Sequence, residues 1–514
     1  MMRGLLRAGL VVGLAVLACL GWWRTGPDYS SARTNLKGKR GVTTDIPRSR
    51  FGFASPAAHI HGRVSAGPRP VASARVRLKG DAACVLTDES GRFQLDAPPR
   101  DGHTVTAAKD GYLIAGVPAS AGPLEIRLTP LPAADCGDYQ WVGPAPSSAA
   151  GGACGNCHQP IYEEWRSDGH AQSAVSRRFQ DTLDVLAQDY PEGVAVCWSC
   201  HAPSLEPDRV TFDLRRMSGV VAAGVHCDFC HKIREANFEH AGVTHGRFGY
   251  DLLRPADGQL FFGPLDDVNR GEDAYSPLMS ESRFCAACHE GTLFGVHVYG
   301  TWSEWLASPA RRQGRQCQTC HMAPSGVLTN VAPASGGIER DPQTLASHTF
   351  LPGGREAMLR RALDVSADID RRPSSVEVSV RLDARDVGHR LPTGFIDRQL
   401  LLVVEALDAE GQAARLLIGR RLPAAAGKEL SGKAGRLFAK LLTDADGESP
   451  APFWRAGVSM SDTRLSPEEP LDCDFSFPAD AALVRVRLIY RRSWQDPADG
   501  ETVVYDRSFP CRAT

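Results

Sequence analysis

Five Cys-x-x-Cys-His units constrain this chain more than any other feature. They are Cys154-Gly-Asn-Cys157-His158, Cys197-Trp-Ser-Cys200-His201, Cys227-Asp-Phe-Cys230-His231, Cys285-Ala-Ala-Cys288-His289 and Cys317-Gln-Thr-Cys320-His321. With 15 Cys and 15 His in 514 residues, chance supplies about 0.01 such units per chain. In this motif two thiols add across the vinyl groups of a haem, and the adjacent histidine becomes an axial iron ligand. The two-residue gap lets both sulfurs reach one ring edge, and the next position brings the imidazole under the iron. Zinc ribbons pair Cys-x-x-Cys units but do not require a histidine after each. Ferredoxin spacing, Cys-x-x-Cys-x-x-Cys, is absent. Disulfides leave the histidines unexplained. The expected cofactor is five covalent haem c groups with their iron.

Cys154 to His321 covers 168 residues, or about 34 per motif, too few for a separate apolar core around each cofactor. The macrocycles must therefore act as core and lie close together. Beyond the proximal His158, His201, His231, His289 and His321, a second ligand is needed wherever an iron is bis-histidine. His170, His226, His245, His348 and His389 are the candidates, with His240 and His297 as further options. Met217 and Met279 are the methionine alternatives.

The rest of the chain reads as a multidomain protein, since 514 residues exceed one ordinary core. Residues 1–23 carry Arg3 and Arg7 before the apolar run Leu10–Leu20, a signal peptide or membrane anchor. Residues 24–55 read as a flexible linker. Residues 56–132 alternate as a β-sandwich, with turns at Asp88-Glu-Ser-Gly91 and Asp110-Gly111. Residues 133–350 are a haem-packed domain of short helices and little regular structure, including one at Ile161–Trp165. Residues 351–372 read as a linking helix. Residues 373–514 alternate again and predict a second, C-terminal β-sandwich, with a hairpin at Asp408–Gly411. Two disulfides, Cys84–Cys136 and Cys473–Cys511, would use four remaining cysteines, because exported proteins rarely keep free thiols. A net charge of −2 argues against nucleic acid as a partner.

Two resemblances add to this reading. Gly62-Arg-Val64, Thr87-Asp-Glu-Ser-Gly-Arg-Phe93 and Lys109-Asp-Gly-Tyr112 resemble a carboxypeptidase regulatory-like domain, which implies a transthyretin-like sandwich without catalysis of its own. Cys154-x-x-Cys-His-x-x-Ile-Tyr-x-x-Trp165-x-Ser167-x-Gly-His170, Gly224-Val-His-Cys-Asp-Phe-Cys-His231, Ser347-His-Thr-Phe350 and Gly388-His-Arg-Leu-Pro-Thr-Gly394 resemble multihaem cytochromes c related to hydroxylamine oxidoreductase and its tetrahaem electron acceptor. That resemblance implies packed haem pairs with His170 and His348 as distal ligands. The chain lacks the Cys-x-x-Cys-Lys motif of pentahaem nitrite reductases and has fewer motifs than hydroxylamine oxidoreductase, so no catalytic residue carries over. The leading expectation is an electron-transfer protein rather than an enzyme. It would serve redox partner proteins on the periplasmic or extracellular face, secreted or tethered to the membrane. The alternatives are a reductase or oxidase of a small nitrogen or sulfur compound with one open haem, and a self-assembling subunit of an extracellular haem filament.

Overall fold

The computed structural model describes residues 59–514, apart from 100, 149–151, 192–195, 207–216, 238–244, 334, 456, 458, 495–500 and 512–514. The signal or anchor segment 1–23, the linker 24–55 and His240 lie outside the described residues. No helix among those described is long and apolar enough to cross a membrane.

Two four-stranded sheets open the described chain. In one, Ile60–Ala66 pairs antiparallel with Arg69–Pro70 and Arg92–Leu95, and parallel with Leu124–Arg127. In the other the order is Val85–Leu86, Arg75–Leu78, Thr104–Ala108, Ala115–Pro118. Every second residue turns inward, as the two-residue strand period demands. Ile60, Val64, Val76, Phe93, Val105 and Ile126 thereby share one core.

This sandwich is fused to the motif-bearing region. Thr129–Pro130 pairs with Tyr112–Leu113, which pairs with Asp273–Tyr275, which in turn pairs with Phe261–Gly263. A single sheet thus crosses the expected boundary at 132/133. Beside it, Arg75 and Arg77 both reach the buried Asp266, the latter at 2.7 Å. Asp267, also buried, takes Arg340 at 2.6 Å and the Gly80 amide at 2.8 Å. Buried carboxylates persist only when so paired. Asp266→Ala is expected to loosen this joint. Limited proteolysis near residues 128–134 should accelerate in the variant, and an unchanged cleavage rate would show that the shared sheet alone holds the units together.

Residues 154–321 carry the motifs on short helices: Cys154–Cys157, Trp198–His201, Cys227–Cys230, Arg283–His289 and Cys317–His321. On a helical turn, positions i, i+3 and i+4 share one face. That places both thiols and the imidazole of each motif on the same side. The expected helix at Ile161–Trp165 spans Gln159–Arg166, with proline in its first turn.

The linking helix expected over 351–372 is corrected. The helix covers Gly354–Ala362 and ends there, and Leu363–Arg371 is a nine-residue strand paired throughout with Ser375–Ala384. Leu363-Asp-Val-Ser-Ala-Asp-Ile alternates with period two, so the strand buries one face that a helix would scatter. The C-terminal sandwich therefore begins at 363. Its sheets are Leu363–Arg371, Ser375–Ala384, Leu471–Pro478, and Ser459–Asp462, Gly435–Thr443, Gln399–Leu407, Leu483–Arg491, Thr502–Pro510. Gln399–Leu407 is buried on both faces. Leu400, Leu402 and Val404 enter the inter-sheet core, while Leu401 and Val403 pack outward against Leu422, Ala426 and Leu430. Each such fully buried aliphatic side chain contributes about 1.5–3 kcal/mol. The turn at Asp408–Gly411 forms, but the strand's main partners are Gly435–Thr443 and Leu483–Arg491.

Both expected disulfides are corrected as well, since Cys84, Cys136, Cys473 and Cys511 are free thiols. Cys473 stands opposite Val380. Cys511 bonds Ala482 and receives Arg371, whose row meets Val376 and Phe477. Four residues of strand, about 13 Å, thus separate the two, beyond the reach of a disulfide.

Candidate functional site

The five motifs converge on one cavity of about 1520 Å³, larger than the roughly 300–1,000 Å³ typical for a single small ligand. All five proximal histidines line it, and so do His170, His226, His245, His348 and His389. Thiol contacts join neighbouring motifs: Cys154 with Cys227, Cys200 with Cys288, and Cys285 with Cys317.

Ring orientation tests whether these residues fit an iron cofactor. A metal-bound imidazole offers one nitrogen and donates the other N–H to a carbonyl or carboxylate. Here His158 Nδ1 meets the Val331 carbonyl at 2.7 Å, His201 Nδ1 meets Ser173 at 2.9 Å, His231 Nδ1 meets Phe262 at 2.5 Å and His321 Nδ1 meets Phe350 at 2.8 Å. Each contact leaves Nε2 free. Among the candidate second ligands, His170 Nδ1 bonds Asp168 at 2.8 Å and His389 Nδ1 bonds the Arg390 carbonyl at 3.0 Å. Burial pushes His226, His348 and His389 down to about 4 and His289 to about 3. The rings are thus neutral, the form that binds a metal.

Two imidazole pairs stand at the separation that a metal held between them would need. The centroids of His170 and His289 are 6.2 Å apart, and so are those of His321 and His389. Two rings on opposite sides of one metal, with metal–nitrogen bonds of about 2.0–2.1 Å and about 1.1 Å from nitrogen to ring centre, give about 6.2–6.4 Å. Their interplanar angles, 70° and 26°, are unconstrained, because each plane contains the bonding axis. His348 lies near His231 and His158.

The remaining histidines differ. His226 caps Cys227–Cys230 through Nδ1, a 3.4 Å contact from the Phe229 amide, and its buried Nε2 has no hydrogen-bond partner among the described residues. His245 spends Nε2 on the Thr292 carbonyl at 3.0 Å. The next residue, Gly246, has φ +55 and sits so close to Ser199 that an added Cβ would lie 2.1 Å from its carbonyl oxygen, so only glycine lets this segment lie on the second motif. His297 is held by Glu290 at 2.6 Å and does not line the cavity.

Several contributors escaped sequence reasoning. Phe179 stacks on His201 with centroids 3.9 Å and planes 6° apart. Asp168, two residues before His170, orients that ring; the Asp-x-His spacing was the available signal. Asp228 and Lys232 form an ion pair at 2.5 Å, both fully buried. Asp228 also accepts from Tyr139 at 2.9 Å and from the Val142 amide at 2.8 Å. Their i,i+4 spacing around the third motif was visible in the sequence; their burial was not.

A family model described as cytochrome c554 and c-prime matches residues 153–232, which hold the first three motifs. No curated protein matches. Among solved structures, a penta-heme cytochrome c552 from Thermochromatium tepidum superposes with a TM-score of 0.53 at 24% identity, over 70% of this chain and 97% of that one. The Fcho1 Mu homology domain of Danio rerio with bound Eps15 peptide reaches a TM-score of only 0.13 at 15% identity, over 26% and 39% of the two chains, and indicates no common fold. The family match covers the first three motifs, and the superposition shows that this chain shares the fold of that penta-heme cytochrome.

Proposed function

We propose that this chain is a pentahaem c-type cytochrome that passes electrons between a membrane-side donor and an acceptor beyond the cytoplasm. The observation that carries the reading is the convergence of ten histidines on one cavity, two pairs of them at axial separation. Bound haem supplies an iron that gains or loses one electron. The chain does the rest. The ten motif cysteines would anchor the cofactors, and His158, His201, His231, His289 and His321 would each supply one ligand to an iron. His170 and His389 would serve the irons of His289 and His321 as second ligands, and we assign His348, His226 and, once its Nε2 leaves the Thr292 carbonyl, His245 as the further ones. With two imidazoles per iron, no face would be left for a substrate and the coordination would stay unchanged between oxidation states. Backbone carbonyls fix the rings, which limits rearrangement on electron transfer. We place the protein on the periplasmic or extracellular face, tethered or released through residues 1–23, with redox proteins as partners and the fused N-terminal sandwich as a docking platform.

Intact mass tests the cofactor count. The mature holoprotein is expected to exceed its polypeptide mass by five haems, and a fully matured sample with four or fewer overturns the count.

One observation favours the second reading, a reductase or oxidase with an open haem. His245, beside the second motif, has its Nε2 engaged by the Thr292 carbonyl. Rapid binding of carbon monoxide or cyanide to the parent protein would select that reading over the carrier.

A further inference from the structure

The hairpin that joins Glu290–Leu293 to Val296–Gly300 carries an unusual residue at its tip. Leu293 pairs with Val296, so the turn consists of Phe294 and Gly295, and both have positive φ, +52 and +76. Such a turn favours Asn, Asp or Gly at its first position, because a bulky side chain is strained there. Packing does not offset the strain in full, since Phe294 is 39% exposed. Tyr190, 44% exposed at the end of the helix Arg177–Asp189, stands beside it with ring centroids 5.2 Å apart. Two adjacent exposed aromatic rings, one of them held in a strained turn, mark a contact surface.

Beneath these rings the apolar packing is continuous with the second motif. Leu293, Val296, Phe453 and Trp454 share one cluster with Cys197, the first thiol of that motif. A row of rings runs inward from Phe294 to Phe453, Phe395 and Tyr299, each centroid 5.9 Å from the next. Phe453, Phe395 and Tyr299 line the cavity, and Tyr299 lies near Cys200 and Cys197. The rim of the patch is acidic. Asp189, next to Tyr190, holds Arg455 at 2.6 Å and the Trp454 indole at 2.8 Å. Arg455 also lies near Asp444 and Glu448, on the turn that follows Gly435–Thr443. Asp444 fixes that turn by accepting the amides of Asp446 and Glu448 at 3.0 and 2.9 Å, which leaves the side chains of Asp446 and Glu448 exposed. One arginine thus stands among four carboxylates.

We propose that the face around Tyr190 and Phe294 docks a haem protein whose exposed cofactor edge is apolar and ringed by lysines. The inference rests on the carrier reading. The aromatic pair supplies the apolar centre of the contact, and the acidic turn supplies the opposite charge that speeds encounter and sets orientation. A second copy of this chain fits less well, because a two-fold contact would bring two acidic rims together. A single electron passes between an iron at the second motif and an iron of the partner in the other oxidation state, with no bond made or broken and no proton moved.

The test uses holoprotein whose haem content has been fixed by mass. The probe is a small basic cytochrome c with a lysine-ringed haem edge. Binding of oxidised probe to oxidised holoprotein is measured calorimetrically at low salt, and electron transfer from reduced holoprotein to oxidised probe by stopped flow. Phe294→Asn removes the ring and suits the turn; the double variant Asp446→Lys, Glu448→Lys reverses the exposed charge without touching the core. Asp96→Lys, at a side chain 95% exposed in the N-terminal sandwich, is the control. Both test variants are expected to weaken binding and slow transfer about tenfold or more, with the charge effect gone at 1 M salt, where screening acts within about 3 Å. The control should stay within about twofold of the parent. Binding that depends on Phe294 and the acidic turn but passes no electron supports the face and counts against the carrier reading. No binding by the parent, equal binding by both test variants, an equal loss in Asp96→Lys, or a parent dimer that Phe294→Asn dissociates overturns the proposal.

Discussion

The His170→Ala variant is expected to show a new high-spin absorption band of one haem's intensity and to bind carbon monoxide in proportion, beyond whatever the parent binds. The ring of His170 stands 6.2 Å from that of His289 and is aimed by Asp168, so its removal opens one face of a single iron. His389→Ala should do the same at His321, through the second 6.2 Å pair. The two effects should add, because each ring serves a different proximal partner. Titration of the reduced protein with carbon monoxide counts the open sites directly. If His170→Ala and His389→Ala both keep the parent spectrum, the axial assignment fails while the covalent haem count stands untouched.

Lys232→Met is expected to destabilise the protein by about 3–5 kcal/mol, the usual cost of stranding one member of a buried ion pair. Both partners are fully buried. Lys232 lies over the rings of Tyr139 and Phe261, at 4.9 and 4.1 Å from the ring centroids. The pair ties the segment at Tyr139–Val142 to the third motif through Asp228. The double variant Asp228→Asn, Lys232→Met should recover much of the loss, since no lone charge remains buried. Urea unfolding followed by far-ultraviolet circular dichroism measures both. A loss below about 1 kcal/mol in Lys232→Met would mean that water reaches the pair and that it is not a structural clamp.

Some of this protein was written locally enough to be read from residues alone. The motif spacing i, i+3, i+4 forces two thiols and an imidazole onto one side of a helical turn, and all five motifs adopt such turns. The second-ligand candidates His170, His226, His245, His348 and His389 all reach the cavity wall. Period-two alternation marked strands in both β regions, because each has one face against a core. Where both readings were available, length misled: Gly354 to Asp370 reads as a single helix until Leu363–Arg371 finds Ser375–Ala384 as its partner, and strand pairing is a non-local contact. The disulfide at Cys473–Cys511 failed for the same reason, since register decides which rows meet.

What the tertiary structure alone decided is which groups meet across long sequence separations. It joined Tyr112–Leu113 to Asp273–Tyr275 in one sheet and so fused a module that reads as separate. It brought the ring of His170 to 6.2 Å from that of His289 and the ring of His389 to 6.2 Å from that of His321, neighbours that an inventory of histidines leaves open. It buried Asp228 with Lys232. Local chemistry is carried by covalent spacing and helical or strand period. Pairing between distant segments depends on how the sheets and short helices close around a shared interior, and no short window of sequence contains that information.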